Sequence, residues 1–351
     1  MKSLLVKAER EYVIKIGVNW QEEVAQLIQG RNKTAIITSA GFSPDLSGLL
    51  HLDSDVHHFT VPDGEAGKSF STLTTLWDWL GAAGFTRSDL IVAVGGGALT
   101  DLAGFASATW LRGIDWVAVP TSLAGMVDAS IGGKTGINSD YGKNLIGAFH
   151  SPVAVVIDPV WLLTLSNRDF SAGMAEVVKC GFIKDEEILN MLISLNVQSL
   201  RSDEERVVEL VYRAAKVKSE VVSEDFKESF AREILNYGHT LGHAVEIHSK
   251  FKLRHGEAVA IGLVYAAELA CARSMITPDV VDLHRKLLAS LDLPITYDRS
   301  AWSSLRPLLA LDKKSRGETI RFVALSGIAA TSRLEDLTSN ELDAAYERIC
   351  S

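Results

Sequence analysis

The sequence predicts an α/β nucleotide-binding type of domain built on a parallel sheet, followed by a mostly helical domain. Three observations predict it. Short β-branched runs alternate with amphipathic stretches through the first half. The rhythm changes near residue 160 to long helical segments. Between Arg232 and His255, chemically active side chains recur at helical spacing.

In chain order, residues 13–17, 34–38, 56–61, 90–94 and 116–119 read as strands, several of them apolar throughout. Residues 21–29, 69–83 and 99–110 carry helical periodicity between them. Apolar strands alternating with helices indicate a parallel, Rossmann-like sheet covered on both faces. The boundary falls at Asp158-Pro159, giving domains 1–160 and 161–351 with the active site expected in the cleft between them. Helices dominate from Asn167 to Leu291, and late strands are expected at 319–324 and near Ala330.

A chain of 351 residues, 47% hydrophobic and 23% charged, has ample core for two domains or one large one. The N-terminal apolar run is too short for a signal-peptide core, and residues 258–272 are interrupted by Glu268. A cytoplasmic protein is expected. Three cysteines without CxxC spacing give neither a disulfide framework nor a thiolate metal site. A net charge of −9 argues against a nucleic-acid surface. Any anionic substrate therefore needs a local cationic cluster.

Residues 92–105, VAVGGGALTDLAGF, run from strand through glycines into helix. Gly95, Gly96 and Gly97 let backbone approach a phosphate, and the helix N-terminus offers free N–H groups, with Asp101 expected in its first turn. The loop is not GxGxxG, so the standard dinucleotide fingerprint is absent. Earlier, PDGEAGKS presents Glu65 and Lys68, which suit ribose hydroxyls or a nicotinamide. A polar turn capping the next helix accounts for the same residues. The spacing does not fit a Walker A loop.

Between the halves, Arg112, Lys134 and Lys143 are spread through a glycine-rich stretch of low helix and strand propensity, read as a long functional loop. Lysines beside glycines suit phosphate or carboxylate recognition.

Arg232, Asn236, His239 and His243 fall at i, i+4, i+7 and i+11, which aligns them on one helix face. Their neighbours are apolar, and unpartnered buried polar groups cost several kcal/mol, so a metal or charged ligand is expected there. His239 and His255 need a third ligand. Glu176, inside the apolar helix SAGMAEVVKCGF with Lys179 one turn on, supplies it. A His₂Glu set keeps an open coordination position, as catalytic zinc does. HTLGH has the HxxxH spacing of zinc peptidases without their glutamate, so a peptidase is disfavoured.

The segments PDGEAGKS, GGGALTDLAGF, RGIDWVAVPTSL, VDASIGGKTGINSDYGKNLIGAFH, AEVVKCG, LNYGHTLGHAVE and RHGEAVAIG together resemble the 3-dehydroquinate synthase family. They cover roughly residues 60–265, with a weaker echo in LDKKSRGETIRFVAL. The resemblance implies an NAD- and zinc-dependent lyase of the shikimate pathway, cobalt being a second possible metal. Its substrate would be 3-deoxy-D-arabino-heptulosonate 7-phosphate, converted by transient oxidation, phosphate elimination, re-reduction and aldol closure. It implies metal ligands at Glu176, His239 and His255. Substrate and catalytic residues fall on Arg112, Asp128, Lys134, Asn144, Lys179, Lys218, Glu228, Arg232, Asn236 and His243. Cofactor contacts fall on Glu65, Lys68, Gly95, Gly96, Gly97, Asp101, Thr121, Ser122, Lys143, Thr164 and Leu165. Either Lys313 or Lys314 matches a late substrate lysine. A homodimer is also implied. PTS replaces the frequent PTT and KTG the frequent KTA; neither departure touches the expected chemistry. Sister cyclases, including one acting on the aminated analogue of the same substrate, metal-dependent polyol-phosphate dehydrogenases and a non-catalytic metal-stabilised binding protein are the rival readings.

Overall fold

The computed structural model describes residues 1–50, 54–227, 231–309 and 320–351. Glu228, Lys313, Lys314 and Thr319 lie outside the described residues. The chain divides into two compact units: residues 1–164 with 218–227, and residues 165–217 with 228–351.

The first unit is organised by a seven-stranded sheet. Its strands are β1 (Lys2–Lys7), β2 (Glu11–Ile16), β3 (Lys33–Ser39), β4 (Asp55–Val61), β5 (Leu90–Gly95), β6 (Asp115–Pro120) and β9 (Ala154–Ile157). They lie in the order β1-β2-β9-β6-β5-β3-β4. All pairings are parallel except β1 with β2. β5, LIVAVG, is buried at every position, which is why it reads as a continuous apolar run. The edge strand β1 alternates exposed and covered positions and carries three polar side chains, so apolar runs do not reveal it.

Helices α1 (Trp20–Ile28), α2 (Phe70–Ala82) and α3 (Gly97–Thr109) connect the strands. The Asn19 side chain caps α1 by accepting from the backbone of Gln21 and Glu22, and Ser69 caps α2 by accepting from Thr72. The chain passes from β3 outward to β4 and returns to place β5 on the other side of β3. That reversal puts the glycine loop at the switch point of the sheet, where open α/β folds hold ligands.

The stretch expected as a long loop is instead structured. Beyond β6, which the strand expected at 116–119 anticipates, it contains a π-helical turn at Gly125–Ala129 and a hairpin of β7 (Lys134–Ser139) with β8 (Gly142–Phe149). Its glycines permit close strand pairing rather than irregularity: a Cβ on Gly147 would lie 2.2 Å from the Thr135 carbonyl oxygen.

The second unit begins with α4 (Asn167–Ile183), capped by Ser166 accepting from Asp169 N. After it come α5 (Glu186–Leu192), α6 (Val197–Arg201) and α7 (Glu204–Glu224), whose last residues count with the first unit. Then follow α8 (His239–His248), α9 (His255–Ala272), α10 (Pro278–Ser290) and α11 (Trp302–Leu309). The unit closes with the antiparallel pair β10 (Phe322–Gly327) and β11 (Ala330–Leu334) and then α12 (Ser339–Glu347). α9 is the core of the unit, buried without a break from Gly256 to Ala270. Its one charge in the later turns, Glu268, pairs with Arg285 and Arg348. No helix among the described residues is long and apolar enough to cross a membrane.

The polar stripe from Arg232 to His243 is not one helix. Residues 231–236 form a 3-10 turn, Gly238 takes a left-handed φ of 80°, and α8 starts afresh at His239. Packing dictates the break. A Cβ on Gly262 of α9 would lie 1.9 Å from the Gly238 carbonyl oxygen, so the two segments meet backbone to backbone.

Candidate functional site: a metal triad and a glycine-loop network

In the second unit, α4, α8 and α9 bring together Glu176, His239 and His255. One ligating atom from each lies within 4.8 Å of the others. Glu176 Oε1 is 3.3 Å from His255 Nε2 and 3.6 Å from His239 Nε2. The Lys179 ammonium, only 2% exposed, ion-pairs with Glu176 Oε2 from the next turn of α4. The remaining imidazole nitrogens are held from behind. His239 Nδ1 donates to the Tyr237 carbonyl at 3.1 Å, and His255 Nδ1 faces Glu246 Oε2 at 3.2 Å.

Burial penalises each charge here, and neighbours decide the outcome. For Glu176, burial is outweighed by Lys179, His255 and His239, which hold the carboxyl well below its usual range. Burial, reinforced by Lys179, pushes His239 down to about 3, so its imidazole is neutral. His255 is also penalised by burial, yet Glu176 and Glu246 raise it to about 10.

This donor set fits a divalent metal. Both Glu176 oxygens are buried without a hydrogen bond of good geometry. One carboxylate and two imidazoles converging on a point, with their outer nitrogens anchored, is the arrangement of a catalytic metal site. His243, one turn after His239, is exposed, with its ring centroid 5.4 Å from that of His239. Arg232 is buried and Asn236 half-buried on the preceding 3-10 turn. Only the two histidines of the expected stripe therefore share a helix.

In the first unit, Gly95 ends β5, Gly96 is the N-cap of α3, and Gly97 begins that helix. No side chain caps α3, which leaves its N-terminus for a ligand. Starting at Gly97, the helix puts Asp101 in its second turn rather than its first, facing Lys68. Lys68 Nζ donates to Asp101 Oδ2 at 2.6 Å and also to Asn144 Oδ1. Burial raises the Asp101 carboxyl to about 6 against the pull of Lys68. Asn144 has a left-handed φ of 57° inside β8, and its N–H donates to Asn138 Oδ1. Asn138 Nδ2 donates in turn to Glu65 Oε2 at 2.6 Å. Glu65, Lys68, Asp101 and Asn144 thus form one network.

Thr121 donates its N–H to the Gly95 carbonyl, and Ser122 Oγ accepts from Gly125 N, so both border the glycine loop. Lys218, on the segment of α7 that belongs to this unit, ion-pairs with Asp128. Lys134 is exposed and Lys143 half-buried, each near the start of a hairpin strand. Arg112 is exposed, and both it and Leu111 have left-handed φ values, 67° and 48°. Thr164 and Leu165 stand at the unit boundary, Thr164 closing a 3-10 turn.

Sequence reasoning missed Glu246, Tyr237 and Asn138. Glu246 had a signal, a charge at i+7 from His239 on an apolar helix. The Tyr237 carbonyl had none, because backbone orientation is not written in residue type.

Profiles described as 3-dehydroquinate synthase N-terminal and C-terminal match residues 58–172 and 173–315. The chain belongs to the 3-dehydroquinate synthase family. It is similar to the 3-dehydroquinate synthase of Mycolicibacterium gilvum, with 46% identity over 98% of this chain and 97% of that one. The Thermobifida fusca 3-dehydroquinate synthase is 51% identical over 84% of this chain and 80% of its own. Among solved structures, a 2-deoxy-scyllo-inosose synthase complexed with carbaglucose-6-phosphate, NAD⁺ and Co²⁺ superposes with a TM-score of 0.88. It is 26% identical, covering 99% of this chain and 100% of that one. The 2-epi-5-epi-valiolone synthase of Streptomyces hygroscopicus, with NAD⁺ and Zn²⁺ bound, gives 0.87 at 27% identity, covering 96% of each chain. A probable glycerol dehydrogenase of Sinorhizobium meliloti, 15% identical with a TM-score of 0.60 over 96% and 95% of the chains, shares the fold alone.

Proposed function

We infer that this enzyme converts 3-deoxy-D-arabino-heptulosonate 7-phosphate into 3-dehydroquinate and phosphate, a phosphate-eliminating lyase step of the shikimate pathway. The convergence of Glu176, His239 and His255 in a chain of this family carries the reading. When bound there, a divalent metal, zinc first, supplies Lewis acidity toward sugar hydroxyls, while NAD supplies a reversible hydride acceptor.

The chain's own residues bind and orient. Lys179 holds the Glu176 carboxylate ionised and in place as a ligand. The α3 N-terminus and its glycines receive the cofactor's pyrophosphate, bordered by Thr121 and Ser122. Lys68, Asp101, Glu65, Lys143, Thr164 and Leu165 complete the cofactor contacts we assign. For the substrate phosphate we assign Lys134, Asn144 and Arg112. Arg232, Lys218 and Asn236 take the carboxylate end, with Asp128 aiming Lys218. His243, exposed beside the triad, contacts substrate and serves proton movement. Holding both reacting ends of an open-chain sugar lowers the barrier to intramolecular closure by several kcal/mol. A homodimer is the assembly we propose, on the family resemblance.

Purified protein given NAD and zinc should release phosphate from the heptulosonate phosphate without net NADH. Steady NADH accumulation would overturn the redox-neutral scheme and favour a dehydrogenase. His239→Ala should remove bound metal and turnover together; full activity in a metal-free variant would refute the ligand assignment. Closure of sugar phosphates that lack a carboxylate, in place of the heptulosonate, would favour a sister cyclase.

A further inference from the structure

We propose that Glu246 is a positioning residue of the metal centre, holding the His255 imidazole so that its Nε2 faces the metal position. The proposal rests on the metal reading above and deepens it.

Glu246 stands on α8 at i+3 from His243 and i+7 from His239, and its side chain is only 9% exposed. A buried carboxylate is costly without a compensating charge or donor. It lies 3.2 Å from His255 Nδ1, while the opposite nitrogen lies 3.3 Å from Glu176 Oε1. An ionised carboxylate only accepts, so Nδ1 carries hydrogen and Nε2 is the atom turned toward the triad. The ring is thereby fixed in tautomer and in angle.

Two features explain why this imidazole needs a carboxylate when its neighbour does not. The His239 side chain is 10% exposed and is kept in place by packing and the neutral Tyr237 carbonyl. The His255 side chain is 39% exposed and opens α9, so less packing restrains it. Charge is the second feature. Lys179 already neutralises Glu176, so the two imidazoles and that ion pair together offer a dication no net negative charge. Glu246 places a buried carboxylate directly behind His255.

The test uses full-length protein stripped of metal and titrated with zinc against a competing chelator. Wild type, Glu246→Gln and Glu246→Ala are compared, and each is also loaded with Co²⁺ for its visible spectrum. Glu246→Ala should bind zinc about 10- to 100-fold more weakly and shift the cobalt bands. Glu246→Gln should lose less, because an amide oxygen still accepts from Nδ1 although the charge is gone. A purely structural role would lower the melting midpoint of stripped protein yet leave zinc affinity and cobalt spectrum unchanged. Wild-type affinity and spectrum in both variants would overturn the role of Glu246 alone. Should Glu246→Ala fail to fold, the same result in Glu246→Gln overturns it. Wild-type protein that takes up no zinc would overturn the metal reading beneath it.

Discussion

The triad of the second unit stands on α4, α8 and α9, and glycines bring backbones together there, Gly256 against Ala172 and Gly262 against Gly238. In the first unit, Lys68, Asp101, Asn144 and Glu65 meet from a 3-10 turn, a helix and a hairpin strand. Two of the triad's three members are held by packing, Glu176 at 2% and His239 at 8% exposed. The network is held by hydrogen bonds between those elements, with Glu65 and Asn144 exposed. A metal needs its ligands fixed to within a few tenths of an ångström. A long, flexible cofactor tolerates a polar network that rearranges as it binds. The two regions should therefore respond differently to changes in packing and in charge.

The largest effect is expected where packing fixes the triad. A Cβ on Gly256, the residue after His255, would lie 1.7 Å from the Ala172 carbonyl oxygen of α4. Gly256→Ala must push apart the helices that carry Glu176 and His255. It should cost about 3 kcal/mol in denaturant unfolding and weaken zinc binding at least tenfold. Retained zinc affinity would mean that the triad does not depend on this contact.

A smaller effect separates the regions by charge. The Asp101 carboxyl, raised to about 6 by burial against the pull of Lys68, lies above its ordinary value of 3.8. A raised carboxyl contributes stability at pH values below the ordinary one, and that contribution is lost as pH rises through 6. Asp101→Asn removes this dependence. The stability difference should shift toward the variant by about 2 kcal/mol between pH 4 and pH 7 in cofactor-free protein. A difference that stays flat across that range would show that Lys68 fully compensates Asp101. Zinc affinity should not change.

The smallest effect lies away from both regions. Burial opposes the Asp115 carboxylate, but Arg10 and Arg31, at 2.6 and 2.7 Å, hold it below its usual range. Its contribution is present above the ordinary carboxyl value and is lost as pH falls through the lowered one. Asp115→Asn should cost about 1 kcal/mol at neutral pH, since solvent screens a part-exposed pair. The cost should vanish in strong acid, with NAD and zinc binding unaltered. A change in either affinity would tie this pair to a site it does not touch.

Much of this was legible in residue type and spacing. The apolar strands announced the parallel sheet because both of its faces are covered. Glu176 announced itself as a charge in an apolar helix, and His239 and His255 as imidazoles at or beside apolar ones. The expected single helix from Arg232 to His243 failed at Gly238, where a left-handed residue packs against Gly262. Periodicity carries no information on which glycine another helix will press upon. The hairpin of β7 and β8 was read as a loop for a related reason, since facing glycines in paired strands resemble turn residues. Asp101 moved from first turn to second because the helix begins on glycine rather than after it.

The sequence by itself determined the fold class, the family and the ligand types, because burial patterns and donor chemistry are properties of residue order. Only the tertiary structure decided which nitrogen of each imidazole is free, and which carboxylates and carbonyl stand behind them. Tyr237 is two residues from His239 and Glu246 nine from His255, while Glu176 is 63 and 79 positions away from the two imidazoles. Only the packing of helices against one another closes such separations.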